Sequence, residues 1–367
     1  MMANLNEILF FSTFLLFIVI LLVTDLGLFQ KNSHSLSLRE ALFWSLLWVG
    51  ISIAFYFLIR FHGNWIHGAD TLEAIRGKIV AFDHPIKIEG LTIEEATRVY
   101  NRNLSLEYLT GYLIEYSLSV DNVFVIVMIF LSFNIPPRYY KRVLFWGILG
   151  AIVMRFIFIF AASVVIRQFA WSLYIFGALL VFLGGKMAYD FFTTTGDERI
   201  DTQKHPVVRF AAKFLRVAGE DHGEKFWIRK NRKLLFTPLF IVLLVVEFTD
   251  VLFAIDSVPA VFSVTQDPYI VFFSNIFAIL GLRSLFFLVM NVMNRFHYLK
   301  IGLACLLAFV GIKMLGHHIY NLDTKKSLYI IASILALTII ASLIRNRVVR
   351  KKVTNAADHP MVPKGDL

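Results

Sequence analysis

Six acidic side chains stand inside otherwise apolar stretches of this sequence: Asp25, Glu115, Asp121, Glu247, Asp250 and Asp256. Four basic ones do the same: Arg155, Lys186, Arg283 and Lys313. An ionised group is costly in hydrocarbon, so such residues face the protein interior, pair with one another, or line a polar path. Carboxylate oxygens suit hard divalent cations such as Mg²⁺ and Mn²⁺, with carbonyls and water completing the shell. Asn122 and Ser257 directly follow Asp121 and Asp256 and add neutral oxygens. Pro259 has no amide N–H, which deprives the carbonyl of Ile255 of its helical donor beside Asp256.

The metal-binding set expected from these positions has Asp121 and Asp256 at its core, joined by Glu115, Asp250, Asn122 and Ser257. Asp25, Glu247, Arg155, Arg283, Lys186 and Lys313 are expected as accessory or gating groups. Glu115 and Asp121 are separated by about 9 Å of helix rise and about 240° of rotation, so one straight helix cannot aim both at one small ion. Glu247 and Asp250, at i and i+3, do share a face. The alternative is structural pairing, for example Asp121 with Arg155 or Lys186.

Other chemistries find little support. Cys305 is the only cysteine, which excludes an intrachain disulfide and a cysteine-based zinc or iron–sulfur site. The histidines lie mostly in loops or at the ends of apolar runs, as His317 and His318 do. No HExxH or GxSxG pattern supports a membrane hydrolase, and Gly184, Gly185 and Lys186 make no GxxxxGK[ST] phosphate loop. The chain is therefore not expected to be an enzyme or to carry a cofactor.

The elements that must hold these charges are membrane helices. Hydrophobic residues are 58% and charged ones 17%, where a soluble chain has roughly 25% charge. Apolar runs of the length a bilayer requires, about 20 residues, fall at 8–28, 41–60, 106–132, 142–163, 169–190, 235–263, 269–290, 299–317 and 327–344. The first lacks a basic leader and a small-x-small cleavage site and is expected to be retained. The fold expected is an all-α polytopic membrane protein of about nine transmembrane helices.

Loop charge sets orientation. The net charge is 36 − 26 = +10, and the excess sits in loops, as the positive-inside rule expects, rather than in a nucleic-acid surface. The 191–234 loop is strongly basic and the 346–367 tail carries Arg347, Arg350, Lys351 and Lys352. Both are expected in the cytoplasm, with the N-terminus outside and the loop a possible docking surface for a protein partner. The 61–105 segment is then extracytoplasmic. Its pattern suggests a short strand, a turn and a helix capped by Thr92 with Glu95 three residues on.

The sequence also repeats itself after about 130 residues. SLSVDNVFVIV, GILGAIVMRFIF and FGALLVFLGGKM answer to VLFAIDSVPAV, FAILGLRSLFF and IGLACLLAFVGIKM. Asp121 thereby matches Asp256, Glu115 matches Asp250, Arg155 matches Arg283, and Lys186 matches Lys313. Three spans per unit, at 106–190 and 235–317, make this an inverted-topology repeat, an arrangement many secondary transporters use around a midplane site. Two helices in 1–60 precede the repeats and a ninth in 318–345 follows them. Gly177, Gly184, Gly302 and Gly311 are expected at close helix contacts.

LTGYLIEYSLSVDNVFV, VLFWGILGAIVMR, EFTDVLFAIDSVPAVFSVTQDPYIVFFSNIFAILGLR and AFVGIKML resemble the TerC family of integral membrane proteins, in its Alx-like branch. Asp25 with Leu26, Gly27 and Phe29, then Glu40, Ala41 and Trp44, matches that family's first-helix pattern. The resemblance implies a fold akin to the lysine-exporter superfamily, a link to tellurium resistance by name, and manganese homeostasis by function. It implies Glu115, Asp121, Asp250 and Asp256, with Asn122, at the transport site. The 61–105 segment looks longer than the connection usual in bacterial members.

The function expected is secondary export of Mn²⁺ across the bacterial inner membrane, with inward H⁺ the simplest coupling. A non-transporting scaffold in a metal- or tellurite-stress complex is the alternative.

Overall fold

The computed structural model describes residues 5–30, 37–133, 135–169, 171–193, 223, 225–230, 233–292, 298–316 and 324–358. Side chains at some helical positions, Asp25, Asp121 and Asp256 among them, lie outside that description. So do most of the basic 191–234 loop, His317, His318 and the end of the tail.

In chain order the elements are α1 (Leu5–Gln30), α2 (Leu38–His62), α3 (Asn64–His67), α4 (Leu72–Ala81), α5 (Ile93–Ser132), α6 (Tyr140–Gln168) and α7 (Ser172–Thr193). A hairpin of β1 (Trp227–Lys230) and β2 (Lys233–Phe236) follows. Then come α8 (Pro238–Phe262), α9 (Pro268–Leu280), α10 (Leu282–Val292), α11 (Leu299–Leu315) and α12 (Thr324–Asp358). Each apolar run read from the sequence falls on one of these helices or on the α9–α10 pair.

Among the described residues, seven helices are long and apolar enough to cross a bilayer. The α9–α10 pair, bent by 44°, makes an eighth if it is one span. The apolar part of α11, Ile301–Leu315, is shorter. The protein is thus an all-α polytopic membrane protein.

Local sequence sets the helix starts. Ser37 and Glu40 form a capping box on α2, and Thr92 and Glu95 form one on α5. Thr237 and Asp267 cap α8 and α9, each followed by a proline at the first helical position, where a missing N–H costs nothing. Pro259 lies inside α8 near its end, and the helix continues through it to Phe262. The marked bend instead comes at Gly281, between α9 and α10.

The 61–105 segment differs from its expected form. It contains α3 and α4, and residues 82–91 form no strand. The helix capped by Thr92 runs unbroken into the membrane run, so position 105 lies within α5. At 40 residues, α5 is about 60 Å long, twice the hydrocarbon thickness. Its first turns therefore project beyond the apolar layer, where α3 and α4 pack on them. Position 235 likewise falls in β2, not in α8.

α5 is the central helix. Its apolar window is 73% buried, against 17% for those of α1, α7 and α12. It meets α2, α8, α9, α10 and α12. Aromatic side chains fix α1 and α2 against α9, with Phe14 and Phe273 ring centres 4.4 Å apart and Phe55 and Phe277 4.7 Å apart.

α7 and α11 cross at their glycines. A Cβ on Gly311 would lie 2.7 Å from the carbonyl oxygen of Gly177, and one on Gly184 would lie 2.7 Å from that of Ala304. The contact rises along one helix as it falls along the other, so the two run antiparallel. The alignment that matches Lys186 to Lys313 also matches Gly184 to Gly311 and Gly177 to Ala304. Exchanging the two sequence units therefore turns one contact into the other.

Candidate functional site: a buried charge centre

Arg155 projects from α6 with its side chain fully buried. Its Nη1 donates to Glu115 Oε1 on α5 and to Asn275 Oδ1 on α9. Its Nη2 lies 3.5 Å from Asp250 Oδ1 on α8. Asn275 Nδ2 donates in turn to Glu115 Oε2 at 3.1 Å. The amide of Asn275 thus accepts from the cation and donates to the anion, closing a ring of three residues from different helices, with Asp250 of a fourth helix attached through Arg155.

One guanidinium faces two carboxylates here, which leaves an excess negative charge when both acids are ionised. The second oxygen of Asp250 is buried and has no hydrogen-bond partner among the described residues, nor does Arg155 Nε. Such groups are costly to leave unsatisfied in a low-dielectric interior.

Glu247 precedes Asp250 by one turn and is partly buried. A Cβ at position 150 of α6 would collide with its carboxylate, so Gly150 provides its seat. Asn122 and Ser257 are buried, and among the described residues Asn122 Nδ2 and Ser257 Oγ have no hydrogen-bond partner. Asp121 and Asp256 stand beside them in α5 and α8, but their side chains, like that of Asp25, lie outside the described part. Among the described residues, no group of three or more His, Cys, Asp or Glu is arranged to hold a metal ion.

The other bases are elsewhere. Lys186 is exposed on α7. Lys313 on α11 is partly buried and feels the charge of Glu107. Arg283 is buried on α10, within charge range of Lys141.

The sequence reading missed Asn275, because neutral polar residues were considered only beside the intramembrane acids. An amide inside FFSNIFAIL is itself a signal, since a polar group there needs a partner. It also missed Glu107 on α5, which is fully buried and accepts from Thr265 Oγ1 at 2.6 Å and Asn103 Nδ2 at 2.6 Å, with His84 Nδ1 at 2.9 Å.

The model of the "Integral membrane protein TerC family" matches residues 100–354, which take in the whole charge centre. The chain belongs to the TerC family. It is 42% identical over 328 residues to a Salmonella typhi protein named as a candidate membrane-bound redox modulator, Alx, covering 89% of this chain and 91% of that one. The Alx protein of Photorhabdus laumondii is 40% identical over 347 residues, covering 94% and 98%. A membrane protein of Myxococcus xanthus is 38% identical over 349 residues, covering 95% of each chain. No solved structure matches. The TerC resemblance in the Asp121 and Asp256 motifs is thus matched along nearly the full length of Alx-like proteins.

Proposed function

We propose that this TerC-family chain is a secondary transporter of the inner membrane that exports a divalent metal cation, Mn²⁺, in exchange for protons. The observation that carries the reading is the buried ring of Glu115, Arg155 and Asn275, with Asp250 attached through Arg155 as an excess carboxylate. Carboxylate, amide carbonyl and water ligands suit Mn²⁺ and Mg²⁺ rather than thiophilic metals. Asp121 and Asp256, on the same helices as Glu115 and Asp250, are the proposed core ligands, with Asn122 and Ser257 beside them. In this reading Arg155 is the resident countercharge that steadies the acids when no metal is bound.

The antiparallel crossing at Gly177–Gly311 and Gly184–Ala304 supports an inverted repeat, because a twofold axis in the membrane plane exchanges these two contacts. The proposed topology keeps nine spans, with α11 as the eighth and α12 as the ninth, and the basic loop charges support an outward N-terminus and a cytoplasmic C-terminus. Metal binding requires ionised carboxylates, so protons and metal compete for the same oxygens. The basic 191–234 loop is the proposed surface for any protein partner. Flux of Mn²⁺, compared with Mg²⁺, Ca²⁺ and Zn²⁺, in proteoliposomes under imposed pH gradients tests the function. No flux of any of them above empty liposomes would refute it.

A further inference from the structure

At the end of the bundle that carries α3 and α4, a second buried cluster lies apart from the charge centre. His67, the last residue of α3, has a fully buried side chain between two carboxylates. Its Nε2 is 2.7 Å from Asp267 Oδ2 and its Nδ1 is 3.4 Å from Glu7 Oε1. A neutral imidazole carries one N–H and can donate to only one of these acids, whereas an imidazolium donates to both. Glu7 also takes the ammonium of Lys78 from α4. With His67 protonated, the two acids and two bases sum to zero charge. Without that proton, Asp267, itself fully buried, loses its adjacent cation.

Asp267 is also the cap of α9. Its Oδ1 accepts from Tyr269 N at 3.0 Å. Eight residues further along, about 12 Å of helix rise, the same element presents Asn275 to Glu115 and Arg155. The element that seats the charge centre is therefore held at its start by the His67 contact.

We propose that His67 is a proton-binding site, and that its bound proton clamps the start of α9 to α1 and α3, so that pH on that side of the membrane governs the seating of Asn275. The site does not depend on which ion the charge centre carries.

The surroundings of His67 act in both directions. Burial opposes the charged ring, but the carboxylate of Asp267, its hydrogen bond and that from Glu7 outweigh burial and hold the His67 pKa above its ordinary value. Lys78 opposes the charge, and His67 and His84 repel each other when both are protonated. The rings of Phe82 and Tyr269 close the remaining sides at 5.0 and 5.4 Å. Because the folded value exceeds the unfolded one, the clamp is fully present below the ordinary imidazole value of 6.5. It is lost as pH rises through the raised folded value.

The test is hydrogen exchange of the 265–280 segment in the full chain in nanodiscs, without metal, from about pH 6 to about pH 9.5, corrected for the pH dependence of intrinsic exchange. Wild-type protection should fall through one transition as pH rises. Asp267→Asn keeps a capping oxygen but removes the charge, and should move that transition down by about one pH unit, a tenfold loss of proton affinity. His67→Gln should abolish the transition that Asp267→Asn moves, whereas His84→Gln, which removes the other imidazole charge near Asp267, should leave it in place. Constant wild-type protection, an unmoved transition in Asp267→Asn, or a wild-type profile in His67→Gln would overturn the proposal. If His67→Gln does not fold, Asp267→Asn still decides it. No metal enters the measurement, so its failure is separate from a failure of the transport reading.

Discussion

Arg155 Nη2 lies 3.5 Å from Asp250 Oδ1, so a cation of the first sequence unit reaches an acid of the second. The same guanidinium bonds Glu115 of its own unit. Arg155 matches Arg283 in the repeat, and it takes an acid from each half, with Asn275 bonded to both Glu115 and Arg155. A residue that joins both units is placed to sense the charge state of both.

Removing that cation should be severe. Arg155→Gln leaves Glu115 and Asp250 facing each other, and breaking a buried pair typically costs about 3–5 kcal/mol. Thermal unfolding in detergent should show a large loss for Arg155→Gln and a partial recovery in the Arg155→Gln, Glu115→Gln double variant. Additive losses in the double-mutant cycle would mean the two side chains do not act as a pair.

Gly150 should be sensitive only through Glu247. Gly150→Ala drives a Cβ into the Glu247 carboxylate, which sits at the free end of a flexible side chain. A loss of about 1–3 kcal/mol is expected from such overpacking, and Glu247→Ala in the same chain should relieve it. Equal destabilisation with and without Glu247 would assign the cost to another neighbour.

The α7–α11 crossing offers an internal comparison. Gly311→Val would bring side-chain atoms onto the backbone of Gly177 and Val181, whereas a Cβ on Gly185 meets nothing within 4 Å. The first should lower the unfolding temperature sharply and the second should leave it unchanged. Matching melting curves would show that the helices do not cross at these positions.

Membrane runs, helix caps and the acidic motifs were legible because each is local. Thr92 with Glu95 is a capping box whatever surrounds it, and a charge within an apolar run stands out. The irregular 82–91 stretch was misread as containing a strand, because alternation over so few residues does not distinguish a strand from a loop laid over helices. Pro259 takes a donor from the Ile255 carbonyl, but it lies in the last turn of α8 and the helix runs on to Phe262, so the marked bend is not there. Gly281, with no side chain to resist bending, carries it instead. The contact between His67 and Asp267 spans 200 positions, and no spacing rule connects residues so far apart. Glu107 was passed over because it falls at the edge of an apolar run, where a carboxylate ordinarily meets water.

Proton competition should appear in metal binding as well. Purified protein should bind Mn²⁺ more weakly as pH falls into the carboxylate range, because protons occupy the oxygens the metal needs. Calorimetry in buffers of different ionisation enthalpy should register proton release on binding. Binding that is constant with pH and releases no protons would argue against exchange on shared carboxylates.

The most direct measurement is Mn²⁺ flux through purified protein in liposomes under an imposed pH gradient, run beside Asp121→Asn and Asp256→Asn. These substitutions keep size and remove one charge, so both variants should insert and melt like the wild type. Wild-type protein is expected to move Mn²⁺ with counterflow of protons, and both variants are expected to be silent. Wild-type flux no greater than that of empty liposomes, or full flux in both variants, would contradict a metal path through Asp121 and Asp256.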